Sequence, residues 1–217
     1  MIGVFDSGVG GLASVAYIKE ALPCVDIAYI ADTKNAPFGS KDEGEIVKIT
    51  EENIERLLNM GARRVLIACC TASTVHSHIR RDLAEASIPI IEPTAACAAI
   101  SSEGGRIGVI ATERTVRSYA FPRAIEKYCP IAKVYQYPAQ ELVGYIERRE
   151  YSKSHDFIGK AAEKIIRDGC TTLILGCTHF SHARAVFSKY LPEVNIVDSA
   201  HAGALEVIRY AKATNRR

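Results

Sequence analysis

The chain has 217 residues, 48% of them hydrophobic and 24% charged, as in ordinary soluble globular proteins; the length fits one large domain or two small ones. Its 27 Lys and Arg nearly balance 25 Asp and Glu, and outside the terminal Arg216-Arg217 pair no basic tract suggests a nucleic-acid partner. No stretch approaches the roughly eighteen apolar residues of a membrane span, and Met1-Ile2-Gly3-Val4-Phe5-Asp6 does not read as a signal peptide. Seven cysteines, an odd number without an export signal, point to reduced thiols in a cytoplasm.

In chain order, apolar and β-branched runs predict strands at 2–5, 26–30, 64–68, 88–91, 106–110, 133–137, 171–175 and 194–197. Between them apolar residues recur at helical spacing. The clearest helix carries Ile46, Ile49, Ile54, Leu57 and Leu58 and stops at Gly61. This alternation predicts an α/β fold with mainly parallel sheets flanked by helices. Ile2-Gly3-Val4 returns 105 residues later as Ile107-Gly108-Val109. Leu66-Ile67-Ala68-Cys69-Cys70-Thr71 returns 107 residues later as Leu173-Ile174-Leu175-Gly176-Cys177-Thr178. Two matches in the same order predict two related α/β domains. The expected division is 1–93 plus 198–217 against 94–197, with a boundary near Pro93 and a last helix over about 200–213 that packs back on the first half.

Ligands of open α/β sheets collect at the carboxyl ends of strands. The first strand ends in Asp6-Ser7-Gly8-Val9-Gly10-Gly11, whose glycines allow close backbone approach but lack the spacing of a dinucleotide loop. Cys69-Cys70-Thr71 and Cys177-Thr178-His179 end central strands just before helix starts, where a thiol pKa is lowered and backbone N–H groups can hold a carboxylate. Cys24, Cys97, Cys129 and Cys170 read instead as small buried hydrophobes. His76-x-His78 and His179-x-x-His182 are weak as metal patterns, and the two former histidines fit opposite faces of a helix. A thiol in each half, across one cleft, suits a reaction with a base on each face of a substrate: racemisation by proton removal and return. Asp6 could assist the first thiol and His179 the second.

These motifs resemble the cofactor-independent glutamate racemases of the aspartate/glutamate racemase superfamily. The resemblance runs from Ile2 to about Ala200. It rests on Val4-Phe5-Asp6-Ser7-Gly8-Val9-Gly10-Gly11-Leu12, Ala31-Asp32-Thr33, Pro37-Phe38-Gly39, Ile67-Ala68-Cys69-Cys70-Thr71-Ala72-Ser73, Ile91-Glu92-Pro93, Leu175-Gly176-Cys177-Thr178-His179-Phe180 and Asp198-Ser199-Ala200. It implies two α/β domains with the active site in the cleft between them, and two-thiol racemisation supplying D-glutamate for peptidoglycan, without pyridoxal phosphate, nicotinamide or metal. By the same resemblance Cys69 and Cys177 are the catalytic thiols, supported by Asp6 and His179. Ser7, Phe38, Gly39, Cys70, Thr71 and Thr178 join Asp6 and His179 as substrate contacts, and Glu147 is an accessory acid or a solvated helix-face carboxylate.

Two positions depart from the family pattern: Cys70 stands where Asn is usual, and Phe38 where Tyr is usual. The resemblance assigns the first thiol to Cys69, whereas the gapless internal repeat sets Cys70 opposite Cys177. The small dicarboxylic amino acid expected as substrate is glutamate first and aspartate second, and a homodimer is a further expectation. The alternatives are an isomerase or decarboxylase of small dicarboxylates and a binding role such as the gyrase inhibition seen in some family members.

Overall fold

The computed structural model describes residues 1–102 and 104–214, so Arg216-Arg217 lies outside them. The first half runs β1 (Ile2–Asp6), α1 (Leu12–Ala21), β2 (Ile27–Ala31), α2 (Glu43–Asn59), β3 (Val65–Ile67), α3 (Cys70–Ser73), α4 (Arg81–Ala86), β4 (Ser87–Pro89) and α5 (Ile91–Ser101). The second runs β5 (Arg106–Ala111), α6 (Glu113–Arg117), α7 (Ala120–Tyr128), β6 (Lys133–Pro138), α8 (Gln140–Glu147), α9 (Tyr151–Arg167), β7 (Thr172–Gly176), α10 (Arg184–Tyr190), β8 (Asn195–Asp198) and α11 (Ser199–Thr214). Every expected strand is present, its ends moved by no more than two residues. α2 forms where the apolar spacing put it. Asp42 caps its start, accepting from the Glu45 N–H at 2.8 Å, while Glu45 Oε2 accepts from the Asp42 N–H. Gly61, at φ +94°, takes the left-handed conformation just beyond its end.

The strands form two four-stranded parallel sheets of identical order, β2-β1-β3-β4 and β6-β5-β7-β8. This common order is the tertiary counterpart of the sequence repeat, and the register corrects its alignment. Val4 pairs with Leu66 in the first sheet, and Val109 with Ile174 in the second. Matching Val4 to Val109 therefore sets Leu66 against Ile174 and Cys69 against Cys177. The gapless match was out by one residue. Burial agrees, because strand side chains alternate between faces. Leu66, Ala68, Cys70 and Ile174 face a central core, while Ile67, Cys69, Leu175 and Cys177 face outer cores.

The central core is common to both halves. Ile2, Val4 and Leu66 from one sheet share it with Ile107, Val109 and Ile174 from the other, together with Ala95, Phe121 and Val207 of α5, α7 and α11. This shared buried interior holds the two sheets against each other. α11 packs on α1 and α5. Pro93 lies in the first turn of α5. Its missing N–H costs nothing there, because first-turn amides have no partner within the helix.

Candidate active site

The carboxyl ends of β1, β3, β5 and β7 converge on a cavity of about 290 Å³, near the lower end of the range for small-molecule pockets. Ser7, Phe38, Gly39, Cys69, Cys70, Thr71, Glu147, Cys177, Thr178 and His179 all line it. Cys69 caps α3. Its sulfur donates to Ser7 Oγ at 3.5 Å and accepts from the Ala72 N–H at 3.5 Å. The helix start does not lower this thiol's pKa, contrary to expectation. Burial first, and then the negative charge of Asp6, push it up to about 12. The short helix offers one long N–H···S contact, too little to offset desolvation. Cys69 is therefore a neutral thiol.

Cys70, on the opposite face, points into the central core. Its sulfur donates to Ser199 Oγ at 3.6 Å, and that hydroxyl donates to the Leu175 carbonyl at 2.7 Å. Burial also pushes the Cys70 thiol pKa upward. Cys70 also lines the cavity, tied to the start of α11 through Ser199.

The second sulfur has a different neighbour. Cys177 Sγ lies 3.7 Å from His179 Nδ1, and the other ring nitrogen, Nε2, lies 3.0 Å from Glu147 Oε1. The Glu147 contact is an ion pair off the line of the ring N–H rather than an aligned hydrogen bond. Burial opposes charge on the imidazole. The hydrogen-bonding and charge of Cys177, with Glu147 and Asp6, outweigh it and raise the His179 pKa to about 11. The pairing with His179 in turn holds the Glu147 carboxyl below its usual range. The two sulfurs thus sit in unlike fields, one beside a carboxylate and one beside an imidazolium.

Asp6 is fully buried and makes no hydrogen bond to Cys69. One carboxylate oxygen accepts from the Gly8 N–H at 3.0 Å, and the other accepts from the Thr178 hydroxyl of the opposite half at 3.1 Å. Asp6 acts on Cys69 through its charge and joins the halves through Thr178. Gly10 makes this junction sterically feasible. A Cβ there would lie 2.6 Å from Thr178 Oγ1 and 2.9 Å from the His179 backbone nitrogen. Asp32 anchors the loop that carries Phe38 and Gly39, accepting from Asn53 Nδ2 at 2.7 Å and from Asn35 Nδ2 at 2.9 Å. The Phe38 ring packs against Phe5 in the outer core, so it serves as wall.

Sequence reasoning missed Thr112 and Gln140, which also line the cavity. Thr112 forms a hydroxyl cluster with Thr71 and Thr115 at 2.9–3.3 Å across the two halves. The 105-residue offset, continued three residues past Val109, would have set Thr112 opposite Ser7. No motif marks Gln140. Of the cysteines expected to be buried, only Cys170 is; Cys24, in the loop after α1, is exposed, and Cys97, within α5, and Cys129, at the end of α7, are half-buried. His76 and His78 turn to separate partners, Ser87 and Glu43, and His182 is exposed. Among the described residues, no group of three or more His, Cys, Asp or Glu side chains is placed to hold a metal ion, and no helix is long and apolar enough to cross a membrane.

Residues 16–207 match the family described as Asp/Glu/Hydantoin racemase. The chain is 38% identical to a glutamate racemase of Desulforudis audaxviator, over 93% of this chain and 75% of that one. It is 31% identical to a glutamate racemase of Pseudomonas aeruginosa, over 98% and 82%. Among solved structures, a glutamate racemase of Bacillus anthracis superposes with a TM-score of 0.90 at 29% identity, covering 99% of this chain and 82% of that one. A glutamate racemase of Francisella tularensis in complex with D-glutamate gives 0.86 at 29% identity, with 99% and 81% covered. An aspartate racemase of Picrophilus torridus, at 18% identity and a TM-score of 0.71 over 97% of this chain and 94% of that one, shares the fold. With the family match spanning most of its length and relatives above 30% identity aligned over nearly all of it, this chain belongs to the Asp/Glu/Hydantoin racemase family.

Proposed function

We propose that the protein interconverts L- and D-glutamate without a cofactor, by proton transfer between two thiols. The observation that carries this reading is that Cys69 and Cys177, at register-equivalent ends of two sheets, line one cavity in unlike electrostatic surroundings. In one direction Cys177, the sulfur beside the His179 imidazolium, takes the α-proton. The bonding pair stays on the α-carbon and delocalises into the α-carboxylate. Cys69, held neutral by burial, gives its proton to the opposite face. No atom is gained or lost, and the chain ends with the two protonation states exchanged. In the other direction Cys69 takes the proton, its negative charge held by the Ala72 N–H and the Ser7 hydroxyl.

In this reading residues 1–93 with 198–217 form the lobe bearing Cys69, and 94–197 the lobe bearing Cys177. Supply of D-glutamate to peptidoglycan, a cytoplasmic location and a homodimer belong to the same proposal; light scattering tests the last. Proton NMR in deuterated water tests the function. Loss of the α-proton signal of glutamate, with inversion, is the expected result. Exchange with aspartate but not glutamate would reassign the substrate, and silence with both would overturn the proposal.

A further inference from the structure

The cavity must hold a substrate with two carboxylates, yet none of the described residues lining it is Lys or Arg. The hydroxyl donors are largely committed. Thr178 donates to Asp6, and Thr71, Thr112 and Thr115 bond one another. The cation available, His179, is flanked by Cys177 and Glu147. A second carboxylate has to be met by neutral N–H donors, and a primary amide offers two of them.

Gln140 carries the amide that reaches this cavity. It is the first residue of α8, directly after Ala139, whose N–H donates to the Ala111 carbonyl at 2.8 Å and so ties the helix start to the end of β5. Its Oε1 is buried and has no hydrogen-bond partner among the described residues. Such a group is costly unless something pairs with it. The amide lies against Gly39, where a Cβ would collide with Gln140 Oε1, so the glycine leaves the space that the amide fills. Gly39 also lines the outer recess formed with Ser40, Lys41, Arg114 and Arg117. The Gln140–Gly39 contact therefore lies where the reaction cavity adjoins that recess. An amide turns end for end about its last torsion, so this position can present Nε2 as readily as Oε1.

We infer that Gln140 grips the distal carboxylate of the substrate through its amide and thereby sets the chain length that the cavity accepts. The inference rests on the racemase reading and adds a specificity residue to it. Gln140 bears no proton in the reaction; it holds the far end while the thiols act on the α-carbon. On this assignment the amide favours a five-carbon dicarboxylate over a four-carbon one, which is shorter by one methylene.

The test uses Gln140→Met, which keeps the length and loses the amide, and Gln140→Glu, which replaces its donors with a negative charge. Both are measured for glutamate and aspartate by initial rates, alongside D-glutamate binding by calorimetry and thermal melts. The expected result for Gln140→Met is a KM for glutamate raised about tenfold with kcat within threefold. The preference for glutamate over aspartate in kcat/KM should shrink, and Gln140→Glu should be worse still. A glutamate KM and preference unchanged in both folded variants would overturn the inference while leaving racemisation intact. A fall in kcat alone would also overturn it. Wild type that neither binds nor exchanges either acid would overturn the proposed function, and the inference with it.

Discussion

The alternation of faces at the end of β3 assigns different work to two adjacent cysteines, and serine substitutions separate them. Cys69 turns away from the central core and lines the cavity with Cys177, hydrogen-bonded to Ser7 and the Ala72 N–H. Replacing its sulfur with a hydroxyl removes a general acid–base group, worth about 10²–10⁴ in rate, or about 3–5 kcal/mol of barrier at 1.36 kcal/mol per tenfold. Cys70 faces the central core and is bonded to Ser199 at 3.6 Å. A serine there can donate to the same oxygen, but its shorter bond to oxygen leaves the contact stretched. The loss is on the order of 1 kcal/mol, the net value of a buried hydrogen bond, or about 2–4 °C in melting temperature for a chain of this size. Its turnover should stay within about tenfold of wild type. Cys177→Ser, by register and face, should resemble Cys69→Ser. The assay is α-proton exchange in deuterated water, started from each enantiomer of glutamate, beside circular-dichroism melts. An inactive, folded Cys70→Ser together with an active Cys69→Ser would refute the register argument.

The remaining predictions concern what holds the site together. Because the His179 pKa lies at about 11 rather than 6.5, the folded chain holds a proton between these values that the unfolded chain has released. The stability this contributes is fully present below pH 6.5, declines across the window, and is gone above about pH 11. Wild type should thus lose urea stability more steeply than His179→Gln from pH 7 to 11; an equal slope would contradict the pairing. Gly10→Ala, whose Cβ strikes Thr178 and His179, should lose about 1–3 kcal/mol by overpacking, with reduced exchange. Gly8→Ala, whose Cβ would come no closer than 3.8 Å to His179, should melt within about 0.5 kcal/mol of wild type; equal melting of the two variants would discount the close approach. Asn53→Ala takes a 2.7 Å donor from buried Asp32 and should cost about 1–3 kcal/mol while raising KM through the Phe38–Gly39 loop. An unchanged melt and KM would remove Asp32 as the anchor of that loop.

The sequence by itself determined the elements and their kind. β-branched runs and helical spacing are local signals, and the strands, α2 and the parallel class could all be read from them. It also indicated most of the cavity, because strand ends of an α/β sheet collect ligands whatever the rest of the chain does. Tertiary structure decided what depends on register and on contacts between distant residues. The internal repeat alone could not tell which cysteine matches Cys177, since apolar strands match equally well when shifted by one residue; the strand register sets Cys69 against it. The sulfur of Cys69 stays protonated because burial and Asp6 outweigh a single helix N–H, and burial is a property of the packed chain. Asp6 meets Thr178 across 172 residues of sequence, and Gln140 meets Gly39 across the cleft without any motif to mark it. Those pairings follow from the core that the two sheets share, which brings the ends of separately readable strands to one place.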